Sequence, residues 1–403
     1  MRPAASFVID GRYINDHFPG IGRYTFNLIG ALARVAQDEK FILLYNPAQK
    51  NTRYDLAALA RNSNLEFKRV DAAPRSWREQ FAIPRAVGDH EGRPYIFHSP
   101  YYLKPYFVRA RNVVTIFDLI PILFPHAVSL AARLFFRVAI QLAVQTSARI
   151  IVPSISTQND LVTILRVPRE KLALSEAEGI AVIPLAADAR FAPQSRKEIA
   201  RAREKYSLPA RYVLYVGSNK LHKNLATLIA AWRVADRADA ALVIAGGLSQ
   251  IANSESRIAK DKFPFAIRNQ PSAFNIHFLR DFPDADLPAL YSGAEIFVMP
   301  SLSEGFGLPL LEAMQCGAPC IASNASSLPE VGGDAILYFN PRDGNALAQL
   351  LARGLNDAAL RAELRSKSVA RAKNFSWERA ARETLQVYKS QVAGRKAQSA
   401  RRM

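Results

Sequence analysis

Two doubly wound α/β halves are what this sequence predicts, and three observations predict them. Short apolar runs alternate with amphipathic helical stretches along most of the chain, the order that builds a parallel sheet covered by helices. The alternation comes as two series, separated near Ile183–Ser195 by a stretch containing Pro184 and Pro193. The 403 residues suit two domains, and 49% hydrophobic with 22% charged residues is the composition of a chain with sizeable cores. Two such halves facing each other would leave a cleft at the carboxyl ends of their strands, where open α/β sheets bind ligands.

In the first series Phe7–Asp10 reads as a strand, and Pro19–Gly22 as a glycine turn. Tyr24, Leu28, Leu32 and Val35 then recur at helical spacing. Phe41–Tyr45, Leu65–Val70, Tyr95–His98 and Val113–Phe117 read as strands, Leu130–Thr146 as a helix and Arg149–Pro153 as a strand. In the second series Tyr212–Val216 reads as a strand and Leu225–Trp232 as a helix. Ala241–Ala245, closed by Gly246-Gly247, and Ile276–Leu279 read as strands. Leu287–Gly293 and Leu308–Cys316 are helical stretches; Ile296–Pro300 and Cys320–Ser323 are strands. The end is helical over Asn345–Leu355, Ala359–Lys373 and Trp377–Gln391, followed by a basic tail, Gly394–Met403, expected to fray. The expected domains are residues 1–187, residues 188–376, and a final helix and tail, residues 377–403, crossing back onto the first.

There are 53 Lys and Arg against 35 Asp and Glu, a net charge of +18, which attracts anions such as nucleic acid, anionic lipid or phosphorylated substrates. No recognisable nucleic-acid module accompanies it, so nucleic acid is not an expected partner. The two cysteines, Cys316 and Cys320, exclude a disulfide framework and a four-cysteine zinc site and suit the cytosol. No uncharged apolar run approaches the ~18–20 residues of a membrane span. The opening MRPAASFVIDGRYI has no apolar stretch before its first acidic residue, so no secretory signal is expected.

Chemistry concentrates in Ser301-Leu-Ser-Glu304-Gly305-Phe306-Gly307-Leu308-Pro309-Leu-Leu-Glu312, between a strand and a helix. Gly305 and Gly307 let backbone approach a ligand, Pro309 suits a first helical turn, and the exposed N–H groups of that turn favour an anion such as a diphosphate. Carboxylates at Glu304 and Glu312 accept from the vicinal hydroxyls of ribose or a sugar. The plain alternative is an ordinary strand–loop–helix carrying two surface glutamates.

This segment resembles the E-x₇-E motif of retaining GT-B glycosyltransferases of the GT4 type, a group that includes bacterial mannosyl- and glucosyltransferases. The run from Pro300 to Pro319 and the following Ser323-Asn-Ala-Ser-Ser-Leu-Pro-Glu330-Val-Gly-Gly-Asp-Ala are similar to that family's pattern, and the resemblance extends from Gly20 to Phe375-Ser-Trp-Glu. It implies a GT-B fold and transfer of a hexose, first choice mannose, from a nucleoside-diphosphate sugar (GDP-mannose or a UDP-sugar). The acceptor is a hydroxyl of a saccharide or lipid-linked molecule. It also implies retention of configuration, no protein nucleophile, no essential metal or other cofactor, and a place in the cytoplasm or at the inner membrane face.

Residue by residue, the resemblance makes Glu312 the ribose ligand and gives the sugar and leaving-group side to Glu304 and the backbone of Phe306, Gly307 and Leu308. In Gly217-Ser218-Asn-Lys220-Leu-His222-Lys223-Asn224, Lys223 matches the family's phosphate-binding lysine, with Glu304 the other catalytic candidate. Many members carry an arginine where Ser218 stands, and Lys220 or His222 are its possible replacements. Gly20-Ile-Gly22-Arg23-Tyr24-Thr25 resembles the family's first glycine loop: Gly22 is a donor candidate and Gly20 an acceptor candidate. Thr25 replaces the third glycine of a dinucleotide fingerprint, and no P-loop is present, so nicotinamide and NTPase chemistry are poorly supported. In Phe117-Asp118 the family usually has His-Asp; Asp118, and separately His98 at the end of an earlier strand, are sugar or acceptor candidates.

Other features have plainer readings. Asp284-Ala-Asp286 spells the D-x-D of metal-dependent transferases, but Asp286 before Leu287-Pro288 reads as a helix N-cap. Arg133 and Arg137, four apart on an apolar helix, suit either a solvated edge or peripheral contact with an anionic membrane. Leu172–Gly179 reads as a surface insertion. Rival functions are a glycoside hydrolase or phosphorylase using Glu304 and Glu312, a non-catalytic protein binding anionic surfaces by charge, and a transferase fold that has lost catalysis, for which Phe117 and Ser218 are the departures.

Overall fold

The computed structural model describes residues 6–88, 95–127, 129–165, 179–235, 239–246, 275–280 and 282–400. Residues 172–178 of the expected insertion, Gly247 and the end of the tail lie outside the described residues. The chain divides into two compact units, Met1–Leu185 with Ser376–Met403, and Ala186–Phe375.

Unit 1 is a seven-stranded parallel sheet in the order β3-β2-β1-β4-β5-β6-β7. Its strands are β1 (Ser6–Asp10), β2 (Lys40–Tyr45), β3 (Leu65–Arg69), β4 (Tyr95–Ser99), β5 (Arg111–Thr115), β6 (Arg149–Val152) and β7 (Gly179–Val182). Their near-continuous burial follows from helices on both faces: α1 (Pro19–Val35), α2 (Leu56–Ala60), α3 (Glu79–Val87), α4 (Ile120–Leu123), α5 (Leu130–Thr146) and α6 (Ile155–Leu165). Two apolar clusters form its core, one around Val8, Ile42 and Phe97, the other around Val114, Ile140 and Val152. Each fully buried side chain of this size contributes about 1.5–3 kcal/mol.

The expected glycine turn at Pro19–Gly22 is the first turn of α1. Pro19 takes the first helical position, where its missing N–H costs nothing, and the Gly22 N–H already bonds to the Phe18 carbonyl at 2.7 Å.

Unit 2 is a six-stranded parallel sheet in the order β10-β9-β8-β11-β12-β13. The strands are β8 (Tyr212–Val216), β9 (Ala241–Ala245), β10 (Ile276–Leu279), β11 (Ile296–Met299), β12 (Cys320–Ser323) and β13 (Leu337–Phe339). Its helices are α7 (Arg196–Lys205), α8 (Leu225–Ala235), α9 (Leu287–Gly293), α10 (Leu308–Gln315), α11 (Leu328–Gly332), α12 (Gly344–Asn356) and α13 (Ala358–Ala372). Ser195 and Glu198 form a reciprocal capping box at the start of α7. The core gathers Trp232, Leu242, Val298, Ile321, Leu347 and Leu351.

The last helix, α14 (Trp377–Ala400), runs past the expected end at Gln391 and belongs to unit 1. It packs on α1 and β1: Arg34 of α1 pairs with Glu378 at 3.2 Å, and Tyr388 stacks on Phe7 of β1 with ring centroids 5.2 Å apart.

In each sheet the chain builds outward from its first strand on one side and then returns to the other. The switch points lie between β1 and β4 and between β8 and β11. Loops at such points are where doubly wound sheets bind ligands.

Candidate active site

The loops after β8 and β11, on either side of the switch point of unit 2, hold most of the residues singled out above. After β8 the chain passes Gly217 and Ser218 and turns through a short 3-10 segment, Leu221–Lys223. Close packing holds the start of this loop: a Cβ on Gly246, the residue after β9, would stand 2.2 Å from the Gly217 carbonyl oxygen. Asn224 ends the segment in the left-handed region at φ +55°. Its side-chain amide donates to the carbonyls of Pro300 at 3.0 Å and Pro341 at 2.8 Å, which ties the loop to the end of β11.

That tie brings Lys223 onto Glu304. Lys223 Nζ donates to both carboxylate oxygens, at 2.7 and 2.9 Å, and Glu304 is 8% exposed. Three serines fix the glutamate. Ser301 Oγ donates to its Oε1 at 2.6 Å, its backbone N–H donates to Ser326 Oγ at 2.8 Å, and Ser327 Oγ donates to its carbonyl at 2.9 Å. Removing one partner of a pair so shielded from water would leave the other charge buried and uncompensated, which is costly.

Downstream, Phe306 is buried edge-on against Phe375, centroids 5.8 Å apart. Gly307 stands at φ +100°, where a Cβ would fall 2.7 Å from Leu328 Cδ2, so this turn demands glycine. Helix α10 starts at the next residue. No hydrogen bond joins the N–H of Phe306, Gly307 or Leu308 to another described residue, so three donors are open at this helix start. Glu312 lies one turn into α10, 2% exposed, and accepts from Tyr291 Oη at 3.2 Å. The helix stops at Gly317, φ +74°, whose N–H reaches back to Met314.

Ser218 is half-buried and its carbonyl accepts from Tyr215 Oη at 2.7 Å. Lys220 is exposed. His222 is buried; burial, with Lys223 adding to it, holds its imidazole down at about 4, so it is neutral at physiological pH. Both carboxylates of the D-x-D face cations. Asp286 accepts from Lys205 at 2.6 Å and from the Tyr206 hydroxyl, and Asp284 pairs with Arg190 at 3.7 Å. Asp286 does occupy the N-cap position of α9, but its side chain makes no capping bond. Among the described residues no group of three or more His, Cys, Asp or Glu side chains is arranged to hold a metal ion.

The candidates in unit 1 fare differently. Gly20 has open space where a side chain would be, whereas a Cβ on Gly22 would press on the Tyr13 carbonyl at 2.9 Å and on Tyr54 at 3.1 Å. Asp118 is half-buried and accepts from the Ile120 N–H at 3.0 Å, bracing the start of α4. His98 does not fit a sugar contact. It is 1% exposed, its Nδ1 bonds Tyr388 Oη at 2.6 Å and its Nε2 bonds Thr115 Oγ1 at 2.8 Å. Tyr24 Oη completes the chain on Thr115 at 2.9 Å, so His98 links β4, β5, α1 and α14. Burial alone depresses its imidazole to about 3.

Sequence reasoning passed over Ser301, Ser326, Ser327 and Tyr291. It also missed a buried charge cluster after β1, where Arg12 donates to Asp10 at 2.7 Å, to Glu79 at 3.0 Å and to the Ala72 carbonyl at 3.0 Å. Burial works against the Arg12 charge, but Asp10 and Glu79 hold it above its ordinary value. The Asp10-x-Arg12 pattern directly after an apolar strand was the signal available for it.

Residues 196–374 match the family model described as glycosyl transferases group 1. The protein is a glycosyltransferase. This glycosyltransferase is 28% identical over 382 residues to O-antigen chain mannosyltransferase B of Escherichia coli, covering 92% of this chain and 96% of that protein. Its fold is similar to that of sucrose-phosphate synthase from Thermosynechococcus elongatus, with a TM-score of 0.72 at 23% identity over 98% of this chain and 100% of the other. HepE of Anabaena, solved in complex with UDP and glucose, is similar with a TM-score of 0.68 at 18% identity, over 96% of this chain and 100% of that one. The two parallel-sheet units of the glycosyltransferase are those of the GT-B fold.

Proposed function

We propose that the protein transfers mannose from GDP-mannose, with retention of configuration, to a hydroxyl of a saccharide or lipid-linked saccharide, and that unit 2 holds the donor. The observation that carries this reading is the Lys223–Glu304 pair beside the three open N–H groups at the start of α10. A cation and a helix start side by side suit a diphosphate. The relative along nearly the whole chain, named a mannosyltransferase, supports the sugar. The UDP in HepE keeps a UDP-sugar as the alternative donor.

In this reading Glu312 accepts from the ribose hydroxyls, and Glu304 with the backbone of Phe306–Leu308 holds the sugar and leaving-group side. Lys223 neutralises the diphosphate charge that grows as the bond to the anomeric carbon breaks, which is when such pairing lowers the barrier. The acceptor oxygen bonds to the anomeric carbon on the face the diphosphate leaves, and the proton passes to the diphosphate. No protein nucleophile and no metal is required. Ser218 and Gly22 are proposed on the donor side, and Gly20 and Asp118 on the acceptor side. Two free buried cysteines suit a cytoplasmic protein.

The test is release of nucleoside diphosphate by the full chain from GDP-mannose and from UDP-glucose. GDP release from the first alone supports the reading. UDP release alone replaces the donor, and release of free sugar from a mannoside with no nucleotide turnover would favour a glycosidase using Glu304 and Glu312.

A further inference from the structure

The turn between β3 and α3 in unit 1 holds a backbone conformation that its sequence does not favour. Arg75 stands at φ +64°, and among the described residues of unit 1 no other non-glycine residue has a positive φ. Such strain persists only where the surroundings enforce it, and it gathers at functional sites. Unit 2 shows the same association: Asn224 and Ser326, both left-handed, hold the loops around Lys223 and Glu304.

What enforces the strain at Arg75 is the buried charge cluster after β1. Glu79 Oε2 accepts from the Arg75 N–H at 3.0 Å as well as from Arg12 at 3.0 Å, and Asp10 takes two more Arg12 donors at 2.7 and 2.8 Å. The reaction derived above makes no use of this cluster. What the cluster fixes is the point from which the Arg75 side chain leaves the turn.

The side chain is guided as well. Its guanidinium lies 4.8 Å over the Phe18 ring, and Nη2 donates to His17 Nε2 at 3.3 Å. Among the described residues no carboxylate pairs with it, so its charge is left for a ligand. The loop after β4 brings in Tyr101 and Tyr102, with ring centroids 4.1 Å apart. A hydrogen bond of 2.8 Å joins their hydroxyls and uses one of the two protons; the other has no acceptor among the described residues. Burial keeps both phenols protonated, and the charges of Arg75 and Asp118 reach both. A groove of about 550 Å³ runs along Pro74, Arg75, Tyr102, Leu103 and Pro121, the size of a small-ligand site.

A guanidinium and a phenolic O–H both donate, and together they suit phosphate oxygens. Asp118 beside them accepts from hydroxyls, which suits a saccharide better than a bare anion. We propose that Arg75 and the Tyr101–Tyr102 hydroxyl pair form a subsite for a phosphate group on the acceptor saccharide, so that the enzyme prefers a phosphorylated acceptor. The inference rests on the reading above in making unit 1 the acceptor side. It does not rest on which sugar or nucleotide is the donor.

The experiment is calorimetric titration of the full chain with the 1-phosphates of mannose, glucose, galactose and N-acetylglucosamine, and with the corresponding methyl glycosides. The expected result is that at least one 1-phosphate binds about tenfold or more tightly than its methyl glycoside. Arg75→Gln should remove that preference without changing the melting temperature, since the side chain is exposed and makes no ion pair among the described residues. Tyr102→Phe keeps the ring and should weaken the same 1-phosphate about fivefold. Lys223→Ala should leave the preference intact. Three results would overturn the proposal: no 1-phosphate preferred over its glycoside, a preference that survives Arg75→Gln, or a preference that Lys223→Ala removes, which would put the phosphate in unit 2. The donor reading fails in a different readout, the release of nucleoside diphosphate, which this titration does not involve.

Discussion

Lys223 now spends its charge on Glu304, and a bound diphosphate would have to share it. On the proposed reading the lysine is a group whose partner changes along the reaction, and its loss should be felt in turnover more than in ground-state affinity. Lys223→Ala is expected to lower turnover by ~10²–10³ with a smaller change in nucleotide affinity, measured as kcat against Kd. Unchanged turnover would remove Lys223 from the chemistry. His98 makes a prediction of another kind. Its imidazole is depressed to about 3 in the folded chain, whereas an unfolded histidine titrates near ~6.5. Between those values the unfolded state binds the extra proton, so this contribution to stability is present above the unfolded value and is lost as pH falls. In His98→Gln the loss of stability between about pH 6 and about pH 4 should be shallower by up to ~1.4 kcal/mol per pH unit, read from urea unfolding. An identical slope in both proteins would remove His98 as the source.

At the scale of elements, the site is a product of turns. The left-handed residues Asn224 and Gly307 decide where the loops after β8 and β11 point. Gly307→Ala adds a methyl 2.7 Å from Leu328 at a φ that side chains rarely adopt, so it should cost about 1–3 kcal/mol and weaken nucleotide binding as well. Thermal unfolding with and without nucleotide checks both. The strands of both sheets were legible because buried parallel strands are continuous apolar runs; Ala241–Ala245 and Ile276–Leu279 match to the residue. β13 was not, since Leu337–Phe339 is three residues long, and neither was α7, whose first turn is polar. The turn read at Pro19–Gly22 failed because two glycines and a proline signal a turn and a helix start equally well. At the site, Glu304, Glu312 and Lys223 could be named from their motifs. That Lys223 faces Glu304 could not, because the two are 81 residues apart and the contact depends on Asn224 reaching Pro300 and Pro341. His98 misled for the converse reason. A polar residue at a strand end looks like a ligand until Tyr388, 290 residues away, is found on it.

For the molecule as a whole, the division of labour follows from what each unit carries. Unit 2 has the ion pair, the open helix start and the buried Glu312, while unit 1 has Arg75 and the groove beside it. With both D-x-D carboxylates paired to cations, a chelator is expected to leave activity intact; loss that manganese restores would reopen that motif as a metal site. The central claim is that unit 2 binds a nucleoside diphosphate through Glu312. The most direct test is the thermal unfolding of the full chain with GDP, UDP, ADP or dTDP, beside Glu312→Ala. Ligand at about a hundred times its Kd stabilises by ~2.7 kcal/mol, enough to raise the melting temperature by several degrees. Stabilisation by one nucleotide, GDP on this account, and its loss in the variant is the predicted result. Equal stabilisation of the wild type and Glu312→Ala would contradict it.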